Sequence, residues 1–338
     1  MPVTHRPSEP SDYRAIAALM VEALEVPADA VSLDRRLFDW KCWSPHPSTE
    51  RSRGVLLYQD DKLLAYCGGW PIRLAGEGGA WEATHTIDWV GRADAPGAGL
   101  QALKLLTRGC GAVFSVGGSE ITQKILPIFG YKPFNRIVLA SRPLRWAQPA
   151  LARGLDWKTP ARVARNVWRR LRPGVALSAG WSVRRVEPAE VPEALWPVAG
   201  PGEVVSARSA EEIERLLGCP VFEDPGCFLL LRGEKPVAYF ALAHTQGRAR
   251  LLDYGPNGLD EETAYRLGCA AQTLARASAA GSADILAASS EEPALAGWSR
   301  AGLTPETVEP IKVWRIAPEL KEVERFRLTL MDWDSAYL

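Results

Sequence analysis

The chain reads as an α/β (α+β) protein, built of mixed, mostly antiparallel sheets flanked by helices. Three observations predict this class. Runs that alternate apolar and polar residues are interleaved with amphipathic stretches of helical period. Short turn sequences such as Asp60-Asp61, "RGEKP" and "TQGR" join neighbouring strand patterns into hairpins. The order of elements after Gly180 also repeats the order before Arg142, without matching residue identities, as in a divergent internal duplication of about 150–160 residues per unit.

In chain order, "VTHRP" is a short strand and "EPSDYRAIAALMVEAL" an amphipathic helix. Ser8 or Ser11 is its N-cap, and Ile16, Leu19, Met20, Ala23 and Leu24 form its apolar stripe. "LDRRLFDWKCW" is a second helix, ended by the Ser-Pro-His-Pro turn at 44–47. "GVLLYQDDKLLAYCGGWPIRL" is a hairpin and "WEATHTIDWV" a further strand. A Gly-rich loop then opens a helix from Leu100 to Arg108, followed by the strand "AVFSV", a helix at 119–128, the turn "FGYKPF" and the strand "RIVLASR". The second half gives the strand "WSVRRV", helices in "EVPEALWPVA" and "SAEEIERLLG", and three strands in "CFLLLRGEKPVAYFALAHTQGRARLLDYGP". A long helix "DEETAYRLGCAAQTLARASAAG", the strand "ADILAAS", a helix at 291–301 and a closing strand "FRLTLMD" complete it.

This divides the chain into residues 1–142, a connecting segment 143–179, and residues 180–338. Between Arg142 and Arg172, nine basic residues stand against one acid, Asp156, with prolines at 143, 149 and 160 and another at 173. "TPARVARNVWRRLRP" is a basic amphipathic helix with a narrow stripe of Val163, Val167, Trp168 and Leu171. Residues 159–172 suit attachment to an anionic membrane face or polysaccharide, or a linker helix packed between two domains. The small apolar face favours the linker.

Across all 338 residues, Lys plus Arg equals Asp plus Glu at 40 each, so no nucleic-acid partner is expected. The six cysteines lack a C-x-x-C pair and metal-ligand spacing with His, which predicts reduced, mostly buried thiols and no metal. The N-terminus has no apolar signal region, and no run of about eighteen apolar residues occurs. A cytoplasmic location is expected.

The repeated unit, one strand, two helices, three antiparallel strands, helix, strand, helix and two closing strands, resembles the GNAT acyltransferase fold. "IDWVGRADAPGAGLQALKLL" falls where that family carries its strand-4 to helix-3 segment. "ILPIFGYKPF" and "LAGWSRAGLTP" resemble its helix-4 ending. The resemblance covers nearly the whole chain outside the linker and implies two GNAT-like domains. It implies acetyl-CoA or another acyl-CoA as co-substrate, an amine as small-molecule acceptor, and coenzyme contacts from Val90, Gly97, Ala98, Gly99, Leu100 and Gln101.

The physics of the loop agrees. The first turn of a helix presents N–H groups without intrahelical partners at the positive end of the dipole, and glycine lets a pyrophosphate come close. The family's pattern places a basic or amide residue first. Here one frame puts Pro96 there, with Gly99 fourth and Gln101 last; the other puts Asp94 there, with Gly97 and Gly99. The second half has Gly255 and Gly258 but opens its helix with Asp260, Glu261 and Glu262, which would repel a phosphate.

Acyl transfer to an amine needs a base. The resemblance points to the "WEATHTIDWV" strand, where Glu82 is the first candidate and His85 the second. Alternation places Glu82, Thr84, Thr86 and Asp88 on one face, and a bulge usual in the family would switch the phase partway. Where many GNAT enzymes carry a Tyr to protonate the departing thiolate, this chain has Leu126 and, in the second half, Trp298; Tyr131 is read as packing. Trp40 and Trp43 in "FDWKCW" and Asp332 and Asp334 in "LTLMDWDSAYL" are candidate substrate residues, since indoles and carboxylates suit an amino sugar. The C-terminal stretch also resembles the closing strand of tandem GNAT-like proteins associated with bacterial polysaccharide assembly. Two other functions stay open: a non-catalytic binding or scaffold module, and a relative of enzymes that add amino acids to peptidoglycan precursors from aminoacyl-tRNA.

Overall fold

The computed structural model describes residues 2–145, 159–161, 163, 164, 177–315 and 317–337. Most of the 143–179 segment, including Val167, Trp168 and Leu171 of the basic stripe, lies outside the described residues.

Among the described residues, fourteen strands form one sheet. The first half contributes β1 (Val3–Pro7), β2 (Gly54–Gln59), β3 (Lys62–Gly76), β4 (Gly79–Gly91), β5 (Ala112–Val116) and β6 (Lys132–Pro143). Its helices are α1 (Tyr13–Leu24), α2 (Arg35–Phe38), α3 (Ala98–Leu106) and α4 (Glu120–Ile125). The second half contributes β7 (Trp181–Val186), β8 (Glu203–Ser206), β9 (Glu223–Arg232), β10 (Lys235–Thr245), β11 (Arg248–Gly255), β12 (Asp284–Ser289), β13 (Thr304–Arg315) and β14 (Arg325–Arg327). Its helices are α5 (Ala210–Leu217), α6 (Glu261–Ala277) and α7 (Glu292–Arg300).

The strand order is β1-β2-β3-β4-β5-β13-β6-β12-β11-β10-β9-β7, with β8 joining β3 to β14. Pairing is antiparallel except at β4·β5, β11·β12 and β8·β14. At the centre the halves exchange strands. β13 lies between β5 and β6, pairing Ile311 with Val116 on one side and Val308 with Val138 on the other. β6 in turn pairs with β12, Ser289 opposite Val138. Each half therefore completes its sheet with backbone hydrogen bonds to the other's closing strand.

Several local features depart from the sequence reading. Neither Ser8 nor Ser11 caps α1. A 3-10 turn at Pro10–Asp12 precedes it, closed by a reciprocal box between Glu9 and Asp12. Asp12 is anchored there by Arg6 at 2.6 Å, while the Ser8 hydroxyl accepts from the Trp43 indole at 3.3 Å. The segment 188–197 forms two 3-10 turns, Pro188–Glu190 and Glu193–Leu195, instead of a helix, because prolines 188, 192 and 197 remove donors an α-helix needs. The helix after Leu33 runs as α-helix only to Phe38 and continues as a π-turn over Asp39–Trp43. The closing strand shortens to Arg325–Arg327, followed by 3-10 turns at Leu330–Asp332 and Asp334–Ala336.

All six cysteines are free and buried. Among the described residues, no helix is long and apolar enough to cross a membrane.

Helices α6 and α7 touch at Gly297, where an added Cβ would stand 2.5 Å from the Glu261 carbonyl oxygen and 2.6 Å from the Tyr265 nitrogen. Gly297→Ala should force them apart and cost about 1–3 kcal/mol, the usual penalty of overpacking, read from chemical denaturation. A variant as stable as the parent would show that the contact yields freely.

Candidate functional site

Strands β4 and β5 pair over only three positions, Ala83–Ala112, Thr84–Val113 and His85–Phe114. β5 pairs with β13 along its whole length, from Ala112 to Val116, while β4 runs on to Gly91 without β5, so the two strands part after His85–Phe114 and leave a wedge. The anticipated bulge is present. Pairing with β3 passes from Gly68–Ile87 to Tyr66–Val90, and Asp88 takes a left-handed φ of 46°. Before it, Thr84 faces α3, touching the same space as Leu106. After it, Asp88 turns away and forms a buried ion pair with Lys41 of the π-turn. Trp89 now faces α3, and its indole donates to the Gly99 carbonyl at 2.7 Å.

Helix α3 begins where the wedge ends. Gly97, with φ of 87°, is its N-cap and offers no side-chain acceptor to the first-turn N–H groups. Gly91 lies so close that a Cβ on it would stand 3.1 Å from the Gly99 nitrogen. Gly97 and Gln101 are exposed, Gly99 and Leu100 half-buried and Ala98 buried, so these five residues share one helix opening. Val90 does not join them, since its side chain packs with Ile16 and Leu19 of α1.

The sequence shows no basic residue at the first position of the loop pattern, yet the fold brings two to its side. Lys62, at the start of β3, reaches Asp94 at 2.6 Å, and Arg92 reaches the other carboxylate oxygen at 3.1 Å and Glu22 at 2.8 Å. Lys62, foremost, holds the Asp94 carboxyl below its usual range. Arg92 is visible in the sequence as the residue entering the loop; Lys62 becomes visible only once the β3·β4 register is known. Lys62 and Arg92 thus place two cations beside the glycines of the helix opening, balanced by Asp94 and Glu22.

The two candidate bases stand on opposite faces of β4. Glu82 is exposed, 3.3 Å from Arg51, on an open cleft of about 550 Å³. His85 is buried and stacks on Phe114 with centroids 5.0 Å apart. Burial lowers its pKa to about 3, and its Nδ1 has no hydrogen-bond partner. A group of so little proton affinity is poorly matched to general-base work near neutrality. Leu126 and Trp298 are buried. The Tyr131 hydroxyl lies 3.5 Å from the Thr86 hydroxyl on the wedge side of β4, and burial raises its pKa, so it keeps its proton.

The substrate candidates also separate. Trp43 is held by its indole to the Ser8 carbonyl at 3.2 Å and packs on Phe38. Trp40 packs on Trp70 at 5.1 Å, beneath the Arg215 guanidinium. Asp334 is half-buried, and its charge helps hold the buried Lys41 protonated. Asp332 is buried and accepts from Arg208 at 2.7 Å. Arg208 also reaches Asp253 at 3.1 Å, and Asp253 accepts from the hydroxyls of Tyr239 and Thr329, each at 2.6 Å. Sequence reading missed this network, whose members span residues 208–332 and share no local motif.

In the second half, the Gly258 loop before α6 is occupied by the protein itself. Glu291 accepts from the Gly258 N–H at 2.8 Å, from Arg327 at 2.7 Å and from Tyr254 at 2.9 Å. It sits on a cleft of about 810 Å³. Among the described residues, no cluster of three or more His, Cys, Asp or Glu could hold a metal ion.

This wedge, sheet order and helix placement define a GNAT-type fold. The chain is similar to yeast (Saccharomyces cerevisiae) N-myristoyltransferase with bound myristoyl-CoA, with a TM-score of 0.60 and 14% identity over 93% of this chain and 83% of that one. It is similar to a GCN5-related N-acetyltransferase from Sphaerobacter thermophilus, with a TM-score of 0.55 and 15% identity over 94% and 96%. A GCN5-related N-acetyltransferase from Anabaena variabilis aligns with a TM-score of 0.55 and 10% identity over 92% and 72%. No protein-family model matches the chain, and no curated protein matches it.

Proposed function

We propose that the chain is an N-acyltransferase that moves an acyl group from acyl-CoA to an amine, such as an amino sugar or cell-envelope precursor. The observation that carries this reading is the wedge between β4 and β5, with α3 opening on Gly97 and Gly99 at its end and Lys62 and Arg92 alongside. Residues 1–142 would hold the coenzyme and residues 180–338 would shape the acceptor side. The bound coenzyme supplies an activated acyl thioester. The chain's own residues then have three tasks. First-turn N–H groups of α3 bind phosphate, Lys62 and Arg92 balance its charge, and Glu82 accepts a proton at its exposed carboxylate. A second reading, a non-catalytic binding module, is favoured by the engagement of Lys62 and Arg92 with Asp94 and of Glu82 with Arg51.

Thermal melts with coenzyme A and acetyl-CoA separate the two. A ligand that binds only the native state adds about 2.7 kcal/mol at one hundred times its Kd. We expect a saturable rise in Tm that Gly99→Asp removes, because the new side chain places a carboxylate at the helix opening. No rise at millimolar ligand would rule out the acyltransferase reading.

A further inference from the structure

Helix α4 continues without a break into a 3-10 turn at Leu126–Phe129. One side of this helical segment faces the core. Leu126 is buried there, with half-buried Phe129 beside it, in the cluster that holds Val113 and Tyr131. Helical spacing puts Ile121, Ile125 and Ile128 together on another side, at i, i+4 and i+7. That side is left to solvent. Ile128 is 79% exposed and Ile121 69%, with half-buried Ile125 between them. Single exposed apolar residues are ordinary, but a row of them on one helix face marks a contact surface.

The charge around this row is unequal. Lys124 lies within the face, between Ile121 and Ile128, and is exposed. Lys132, at the start of β6, is exposed as well. Lys104 of α3 sets its ammonium 5.3 Å from the centre of the Phe129 ring. Half-buried Lys312 of β13 donates to the Gln123 carbonyl at 3.4 Å. Against these four cations stand two acids, exposed Glu120 at the start of α4 and half-buried Glu309, whose charge reaches Lys312.

We propose that this face docks on an anionic lipid bilayer, with Ile121 and Ile128 entering the acyl boundary and the lysines at headgroup level. A fluid surface accepts projecting apolar side chains without a matching groove, and its negative leaflet supplies the charge that complements the lysines. Lysine stems also let the ammonium groups stay in water while the apolar residues enter. Because Lys104 belongs to α3, docking turns the side of the sheet that carries α3 and α4 toward the membrane. The inference stands apart from the acyltransferase reading.

The test is flotation of the full chain with vesicles of phosphatidylcholine alone and of phosphatidylcholine mixed with phosphatidylglycerol, at low and high salt. The expected result is binding to the anionic vesicles that falls about tenfold or more on neutral vesicles and weakens with salt. Ile121→Ser with Ile128→Ser should weaken it about tenfold or more and leave the thermal melt unchanged, since both residues are exposed. Lys124→Glu with Lys132→Glu, also at exposed positions, should do the same and serves as the second variant. Failure of the parent chain to float with anionic vesicles would overturn the proposal. So would undiminished binding in the isoleucine variant, which would assign the membrane contact to another surface such as the basic segment 159–172. A dimer in solution that the isoleucine variant dissolves, without vesicle binding, would make a second copy the occupant and overturn it as well.

Discussion

Replacing Arg208 with methionine is expected to lower the free energy of unfolding by about 3–5 kcal/mol, the cost of breaking a buried ion pair on one side. Arg208 is 3% exposed at its side chain, and its two partners, Asp253 and Asp332, are 0% and 1% exposed. Methionine fills comparable volume but leaves both buried carboxylates without the guanidinium that pairs with them. The remaining donors to Asp253, from Tyr239 and Thr329, are neutral hydroxyls and cannot balance a charge. The triple variant Arg208→Met, Asp253→Asn, Asp332→Asn should regain part of the loss, since it removes charge from both sides. Urea denaturation at neutral pH measures the difference. A loss below about 1 kcal/mol would place the cluster with exposed ion pairs, whose contributions are small.

Acidification from pH 6.5 toward pH 4 is expected to destabilise the protein steeply, with His85 and His46 each contributing one proton that only the unfolded chain binds. The folded pKa of His85, about 3, lies below the unfolded value near 6.5, because burial against Phe114 disfavours the charged ring. Above pH 6.5 both states hold a neutral imidazole and the group contributes no pH dependence. Between 6.5 and about 3 the unfolded chain binds a proton that the native state refuses, so stability falls by about 1.4 kcal/mol per pH unit. His46, lowered to about 2 chiefly by burial, adds in the same direction. His85→Leu should flatten the slope by one proton and cost little at pH 7.5, since the variant also removes the unpartnered Nδ1. An unchanged slope in that variant would show that His85 titrates normally in the native protein.

Local pattern made much of the fold legible. The β2–β3 hairpin through Asp60-Asp61, with Asp60 in a left-handed φ of 53°, follows from turn chemistry. So does the bounded helix at Ala210–Leu217, which Ser209 and Glu212 close with a capping box. Where the reading failed, a neighbour in space won. Ser8 looks like a helix cap but is occupied by Trp43. The four residues of β8 are too few to show alternation, and they become a strand because β3 and β14 flank them. Of the site, the α3 opening was legible in consecutive residues, while the bulge in β4 was expected only from the family resemblance. Lys62 beside Asp94 was not legible, because the pairing of strands supplies it.

Short-range pattern was enough for the α/β class, the order of most elements and a helix following the glycine-rich loop, though the helix begins two residues earlier than read, at Ala98, since propensity, turn chemistry and periodicity act over a few residues. Tertiary structure alone decided that β13 enters the first half's sheet, that His85 is neutral while Glu82 is exposed, and that Arg208 gathers Asp253 and Asp332. Those outcomes depend on burial and on contacts between residues far apart in the chain, and neither quantity is a property of a short stretch of sequence.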